Sequence, residues 1–297
     1  MKIILSRKGY DSSYGCIASP IFDGKPLLSL PIPCESGGTK YSDLTDVAGK
    51  SYNDIIMGLS RGKGARLSIK DSASGKTVAI NASECHLDPD LENRYAKGNF
   101  EWKPAFGQCD QAETHLSQHG VGIGDLFLFY GWFRHADFDK LAYESPVQDL
   151  HVIWGYMQVG EILDLACPTD LARAKKEYPW HPHIKFDKKI NKLYIPQDKL
   201  EIGNMPSLEA KGYGIFEFSK DRQLTAKGSV KRCEWDFGGH KNVFKKVDIT
   251  YHINNSYGWQ SNKDDVFHAA PRGQEFIFEY NEADENMKKW LAGVLGV

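Results

Sequence analysis

The sequence lacks closely spaced cysteines. Its six, Cys16, Cys34, Cys85, Cys109, Cys167 and Cys233, are scattered, and the nearest two stand 18 positions apart. With no C-x-x-C pair, a zinc ribbon and a thioredoxin-type redox site are excluded on spacing. Scattered thiols in a chain this long fit a reducing compartment. Long hydrophobic runs are missing as well, since no stretch approaches the roughly 18–20 apolar residues of a membrane helix. Residues 1–8 carry three consecutive apolar side chains and then two charges, which predicts a first strand and no secretion signal. A cytoplasmic location without a membrane partner is the expectation.

Positive charge is not in excess. There are 37 basic and 39 acidic side chains, a formal net charge of −2. A protein that grips duplex DNA mainly by neutralising phosphates carries more Lys and Arg than this, so general duplex coating is disfavoured. Residues 220–246 are the local exception. Lys220, Arg222, Lys227, Lys231, Arg232, Lys241, Lys245 and Lys246 face only Asp221, Glu234 and Asp236, interleaved with Trp235, Phe237 and Phe244. A solvated, lysine-rich loop region is the simpler reading of that stretch. Phosphate-loop and dinucleotide motifs are absent too. Gly120-Val-Gly-Ile-Gly124 has neither the lysine nor the spacing of either motif and precedes a strand, so it reads as a turn. No cofactor is indicated, no repeat is present, and no oligomeric state can be read.

What is present is apolar material in short runs. With 41% hydrophobic and 12% aromatic residues, 297 residues can build one large domain or two intimately packed ones. We read a single domain over 1–297, with a change of character near 165. Strands are expected at 2–6, 66–69 and 77–80 (a hairpin), 126–133, 152–163, 192–195, 213–218, 247–252 and 275–280. Gly155 and Gly160 suggest bulges in the strand over 152–163. Helices are expected from Ser51, through a capping box with Asp54, to Leu59, and over 108–118, 169–178 and 283–295. Short strands with few helices give an α+β fold, a mixed and mostly antiparallel sheet or partly closed β-barrel with peripheral helices.

His86-Leu-Asp88-Pro-Asp90 is the most chemical-looking cluster. Polar groups at alternate positions project one way from an extended segment and suit acid/base catalysis or metal ligation; a proline turn with Asx hydrogen bonds is the plainer alternative. We take His86, Asp88 and Asp90 as candidate catalytic residues and assign no metal. His181-Pro-His183 has two imidazoles one residue apart, but spacing supplies no third ligand and an ordinary loop is the simpler reading. Around glycine, Ser6-Arg7-Lys8-Gly9-Tyr10-Asp11 ends a strand with two cations suited to a phosphate. Arg272 and Gln274, with Glu275, can fork onto a phosphate or base edge, or tie down the last strand.

The segment 124–130, followed by 151–162, resembles the barrel strands of pseudouridine-synthase-archaeosine-transglycosylase-like (PUA-like) domains, of the EVE and ASCH type. On that likeness Tyr130, Trp132 and Trp154 would stack on an extruded base while Arg134 or Gln158 reads its edge; core packing is the alternative for each ring. Several blocks together resemble the third of the nucleotide-modification-associated domain families, described as DNA base hypermodification proteins. They are Ser6 to Ser13 with Ser19-Pro20, His86 to Leu91, and Phe106-Gly-Gln108 with His115-Leu116. The others are Gly124 to Arg134, Ile153-Trp-Gly155 through Gly160, and Arg272 to Phe276. Tyr130 stands where Phe is commoner in that pattern. The resemblance runs nearly end to end and implies a role beside enzymes that make or process unusual DNA bases, often in phage or mobile elements. It implies DNA or nucleotides as partners, and partner base-modifying enzymes beside them. Three readings follow: an enzyme acting on a base, which we prefer; a non-catalytic reader of flipped or modified bases; and a scaffold for a partner enzyme.

Overall fold

Four consecutive buried residues, Ile3 to Ser6, place the first strand where both of its faces are covered. The computed structural model describes residues 1–35, 38–70, 77–94, 101–203, 205, 209–250, 257–259, 265–270 and 275–297. Among them, nine strands form one sheet. In chain order they are β1 (Lys2–Arg7), β2 (Ser19–Ile21), β3 (Phe106–Cys109), β4 (Leu126–Asp137), β5 (Ala142–Tyr143), β6 (Leu150–Asp164), β7 (Asn191–Pro196), β8 (Tyr213–Ile215) and β9 (Glu275–Glu279). The spatial order is β9-β1-β4-β6-β7-β3, with β2 and β5 on β4 and β8 on β6. β4 runs parallel to β1 and β2, and the other pairs are antiparallel. Strands from both sides of residue 165 share this sheet, since β7 joins β6 to β3.

The sheet is an open half-barrel. Its curl is strong enough for opposite edges to touch: Gln108 Nε2 on β3 donates to Glu275 Oε1 on β9 over 2.5 Å. Register shifts fall at Phe129/Tyr130, opposite Gly155 and Ile153, and between Val159 and Glu161, next to Gly160. Both glycine-marked bulges are therefore present, and each adds local twist to the long strand β6.

Helix α1 (Tyr52–Leu59) opens as expected, with the Ser51 hydroxyl accepting from the Asp54 N–H. It packs on a satellite core with Tyr10, Tyr41 and Leu30. α2 (Asp110–Gln118) begins later than the sequence suggested, because Gln108 and Cys109 are drawn into the β3–β7 ladder. α3 (Pro168–Glu177) covers a second satellite core with Trp180 and Leu193. A strand over 247–252 is not formed in its described part, 247–250. α4 (Lys241–Phe244) ends in turns there, and Thr250 reaches β9 at Ile277. The expected strand over 213–218 is only Tyr213–Ile215. The 66–80 hairpin is present as Arg66–Lys70 against Thr77–Asn81. Its proposed turn, 72–75, lies outside the described residues.

α5 (Glu285–Leu295) is capped by the Asp284 carboxylate, which accepts from the N–H groups of Asn286 and Met287. Met287, Trp290, Leu291 and Val294 then form one buried stripe against the main core. Burial of each contributes on the order of 1.5–3 kcal/mol. No helix among the described residues is long and apolar enough to cross a membrane.

Candidate functional site

A cleft of about 380 Å³ opens beside the end of β1. Its walls come from five distant stretches: Arg7, Lys8 and Asp11 after β1; Pro33 and Cys34; His86 and Asp88; Gln108 and Cys109 on β3; and His183 and Phe186. Each wall has a local cause. β1 runs out at Arg7 as its parallel pairing with β4 ends at Tyr130. The His86 segment is held by a backbone bond from its N–H to Ile32 O (2.9 Å), continuing the pairing of Glu84–Cys85 with Pro33–Cys34. After α3, the chain tightens into the 3-10 turn Pro182–Lys185, which carries His183 into the cleft wall.

Asp88 is the centre of the cluster, with its side chain 3% exposed. Oδ1 accepts the Gly107 N–H (2.8 Å) and lies 3.1 Å from His181 Nε2. Oδ2 lies 3.5 Å from His86 Nε2 and 3.5 Å from His183 Nε2. Burial works to raise the Asp88 carboxyl, but hydrogen bonds from His181 and His86 and the nearby imidazoles outweigh it. The group is held well below the usual carboxylate range and stays ionised.

Hydrogen bonds assign the ring protons. His181 Nδ1 accepts the His183 backbone N–H (3.3 Å), so in the neutral ring the proton sits on Nε2 and points at Asp88. Asn191 Nδ2 donates to His183 O (2.9 Å), which turns its Oδ1 toward His183 Nδ1 at 2.7 Å. His183 therefore donates from Nδ1 and presents a bare Nε2 lone pair toward Asp88 Oδ2. Burial pushes its pKa down to about 3 despite Asp88, so the ring is neutral at ordinary pH. Phe186 stacks on His86, with ring centroids 5.6 Å apart and planes 3° from parallel.

Gly107 makes this close packing possible. A Cβ there would fall 2.4 Å from His183 Cγ and 2.9 Å from His181 Cε1, inside any allowed contact. His86, Asp88 and His183 offer three ligand atoms, all within 4.8 Å of one another.

Of the residues suggested by sequence, Arg7, Lys8, Asp11, His86, Asp88 and Gln108 meet in this cleft. Arg7 lies 3.7 Å from Asp11. Lys8 sits over the Phe106 ring (4.5 Å) and 3.4 Å from Glu275 Oε1. Ser6 and Glu275 are fully buried behind the cleft wall, bonded to each other (3.1 Å). Burial raises the Glu275 carboxyl against the Lys8 charge and its hydrogen bonds. Asp90 does not line the cleft. It accepts from Trp102 Nε1 (2.7 Å), and burial pushes its pKa up to about 6.

The remaining candidates are placed elsewhere. His115, on α2, bonds Thr250 Oγ1 (3.0 Å). Tyr130 and Trp154 are core residues of the half-barrel. Trp132 is 9% exposed, donates to Asp149, and lies under the guanidiniums of Arg232 (4.4 Å) and Arg134 (5.3 Å). Arg134 Nε is itself bonded to Asp149 (2.6 Å). Gln158 is spent on the backbone, donating to Gly124 O and Glu201 O and accepting from Glu201 N–H. Arg272 and Gln274 lie outside the described residues. His181, His183, Phe186 and Asn191 were not singled out as site residues by sequence. The only signal was His181-Pro-His183, whose carboxylate partner stands 95 positions earlier in the chain.

Comparison with known proteins agrees with the blocks that meet here. No curated protein and no solved structure matches the chain significantly. A family model does, over residues 2–279, a span that holds every wall of the cleft and all nine strands of the sheet. The chain belongs to the nucleotide modification associated domain 3 family.

Proposed function

We propose that this cleft receives a nucleotide, in DNA or free, and that the chemistry on its base takes place at the His86–Asp88–His183 cluster. The observation that carries the reading is the convergence itself. Two cations, a ring platform and a carboxylate–imidazole cluster reach one cavity from five separate parts of the chain. A structural ion pair has no need of such a gathering, whereas a site that must bind an anion and act on a ring beside it does.

In this reading Arg7 and Lys8 face the phosphate. Phe186 and the stacked His86 ring offer a flat wall for a base. Gln108, bonded to Cys109 N–H and Glu275, is a held amide at the floor. Asp88 is fixed as an anion by Gly107 and His181, so its second oxygen is the directed one. The stacking platform expected from Tyr130, Trp132 and Trp154 lends no support to a reader, because those rings are used in the interior.

The test is to make the protein in a bacterial host, digest the host DNA to nucleosides and weigh them. A new nucleoside mass with the intact protein, lost with Asp88→Asn, is the expected result. An unchanged profile, together with no binding of deoxynucleotides to the purified protein, overturns the reading.

A further inference from the structure

The geometry points to a divalent transition-metal site formed by His86, Asp88 and His183, on the wall of the cleft. The inference stands on the cluster alone and does not require the nucleotide reading.

Two facing acceptors carry the argument. Asn191 fixes the His183 proton on Nδ1, leaving the Nε2 lone pair aimed at Asp88 Oδ2 across 3.5 Å. Gly107 and His181 occupy Oδ1, leaving Oδ2 as the oxygen that faces both other rings. Both atoms direct lone pairs into one small space on the cleft wall, with His86 Nε2 3.5 Å from the same oxygen, so a cation there would be met by all three side chains. Ligand atoms about 2.1 Å from a common ion are separated by roughly 3.0 Å at octahedral angles and roughly 3.4 Å at tetrahedral ones. Both His–Asp separations, at 3.5 Å, fall just beyond that range and all three ligand atoms lie within 4.8 Å of one another, so an inward movement of the two rings toward Asp88 completes the set.

The supporting residues follow metal-site logic. A ligating imidazole ordinarily donates its other N–H to an oxygen acceptor, and a ligating carboxylate is itself hydrogen-bonded. His183 does the first through Asn191, and Asp88 does the second through His181 and Gly107. Asn191 and His181 are positioning residues in this scheme. Two imidazoles and one carboxylate suit Fe²⁺, Mn²⁺ or Co²⁺, and three protein ligands leave positions for water or a substrate atom. All three ligands line the cleft, so those positions adjoin the space in which a substrate would sit.

The test uses the purified full chain, freed of metal with a chelator, and titrated with Co²⁺ and separately with Mn²⁺. One equivalent of Co²⁺ should bind, with visible d–d absorption and a rise in Tm. His86→Gln, the most exposed of the three ligands, should weaken the affinity at least about 100-fold. Asn191→Ala should weaken it about 10–100-fold. Asp90→Asn, behind the cluster, should leave it within about 2-fold. If no stoichiometric ion binds, or if His86→Gln and Asn191→Ala bind as the parent does while remaining folded by circular dichroism, the inference is wrong. Ion binding with an unchanged nucleoside profile and no binding of deoxynucleotides would retain the metal site and remove the nucleotide reading.

Discussion

The cluster beside β1 and the aromatic block on β4 and β6 are both buried, both rich in rings and polar atoms, and both suggestive of function in the sequence. Their difference lies in how the polar side chains are directed, although the Trp154 N–H of the block is also buried without a partner among the described residues. In the block, the Gln158 amide is committed to Gly124, Glu201 and Gln197, and the Trp132 N–H to Asp149. In the cleft, His183 Nε2 and Asp88 Oδ2 face each other as acceptors. Burial alone thus says little about purpose. A buried polar group whose capacity is filled by its neighbours is architecture, while one aimed at another acceptor beside a cavity is available for a ligand.

The largest expected contrast comes from the block. Trp154→Ala should destabilise the fold by about 3–5 kcal/mol through lost transfer energy and a residual cavity. Denaturant titration would measure this, and Co²⁺ affinity of the folded fraction should be unchanged. A large change in ion affinity would mean that the block and the cleft are not separate. Gln158→Leu removes partners from buried Gly124 and Glu201 groups and should cost about 1–3 kcal/mol, again without effect on the cleft.

A pH measurement sharpens the same contrast. Burial and the charges of Arg232 and Arg7 hold His151, on β6, well below the ordinary histidine pKa. As pH falls below about 6.5, the unfolded chain takes up this proton before the folded one, so stability falls. The slope contributed is up to about 1.4 kcal/mol per pH unit and ends where the folded group titrates. His151→Phe should flatten that limb of the stability–pH curve. A curve of unchanged steepness would mean that His151 is not held neutral.

The smallest expected effect on stability is at the cleft. Arg7→Gln keeps a polar side chain on the cleft wall and should alter unfolding free energy by about 1 kcal/mol, as a typical single substitution does. Affinity for a deoxynucleoside monophosphate should nevertheless fall about 10-fold, by calorimetry. Equal binding by parent and variant would move the phosphate away from β1.

Much of the fold was legible because its signals are local. Ser51 and Asp54 open α1, Gly155 and Gly160 mark both bulges, and the apolar run from Leu126 makes the central strand. Where tertiary pairing overrode local pattern, the reading failed. Gln108 carries helix-like periodicity but is taken into β3, and 247–250 has strand-like residues that form no strand, although Thr250 meets β9 at Ile277. The site was half legible for the same reason. His86 and Asp88 stand two apart and announce themselves, whereas His183 joins them only through the turn after α3. Asn191 is silent in sequence, because an asparagine that fixes a ring tautomer looks like any other.

The pairing of β9 with β1 also bears on how the molecule comes into being. Lys2 to Ser6 pair with Glu279 to Glu275, so neighbours in the sheet are separated by nearly the whole length of the chain. A growing polypeptide emerging from the ribosome therefore carries β1 with one flank open until residues 275–279 have been synthesised. Lys8 and Gln108 acquire their shared carboxylate only with Glu275. Long-range closure of this kind is slow and exposes an unpaired edge in the meantime. The cleft is thus completed only after the strand at 275–279 has been made, and a nascent chain halted before residue 275 would contain its His–Asp cluster but lack the strand that braces the cationic wall.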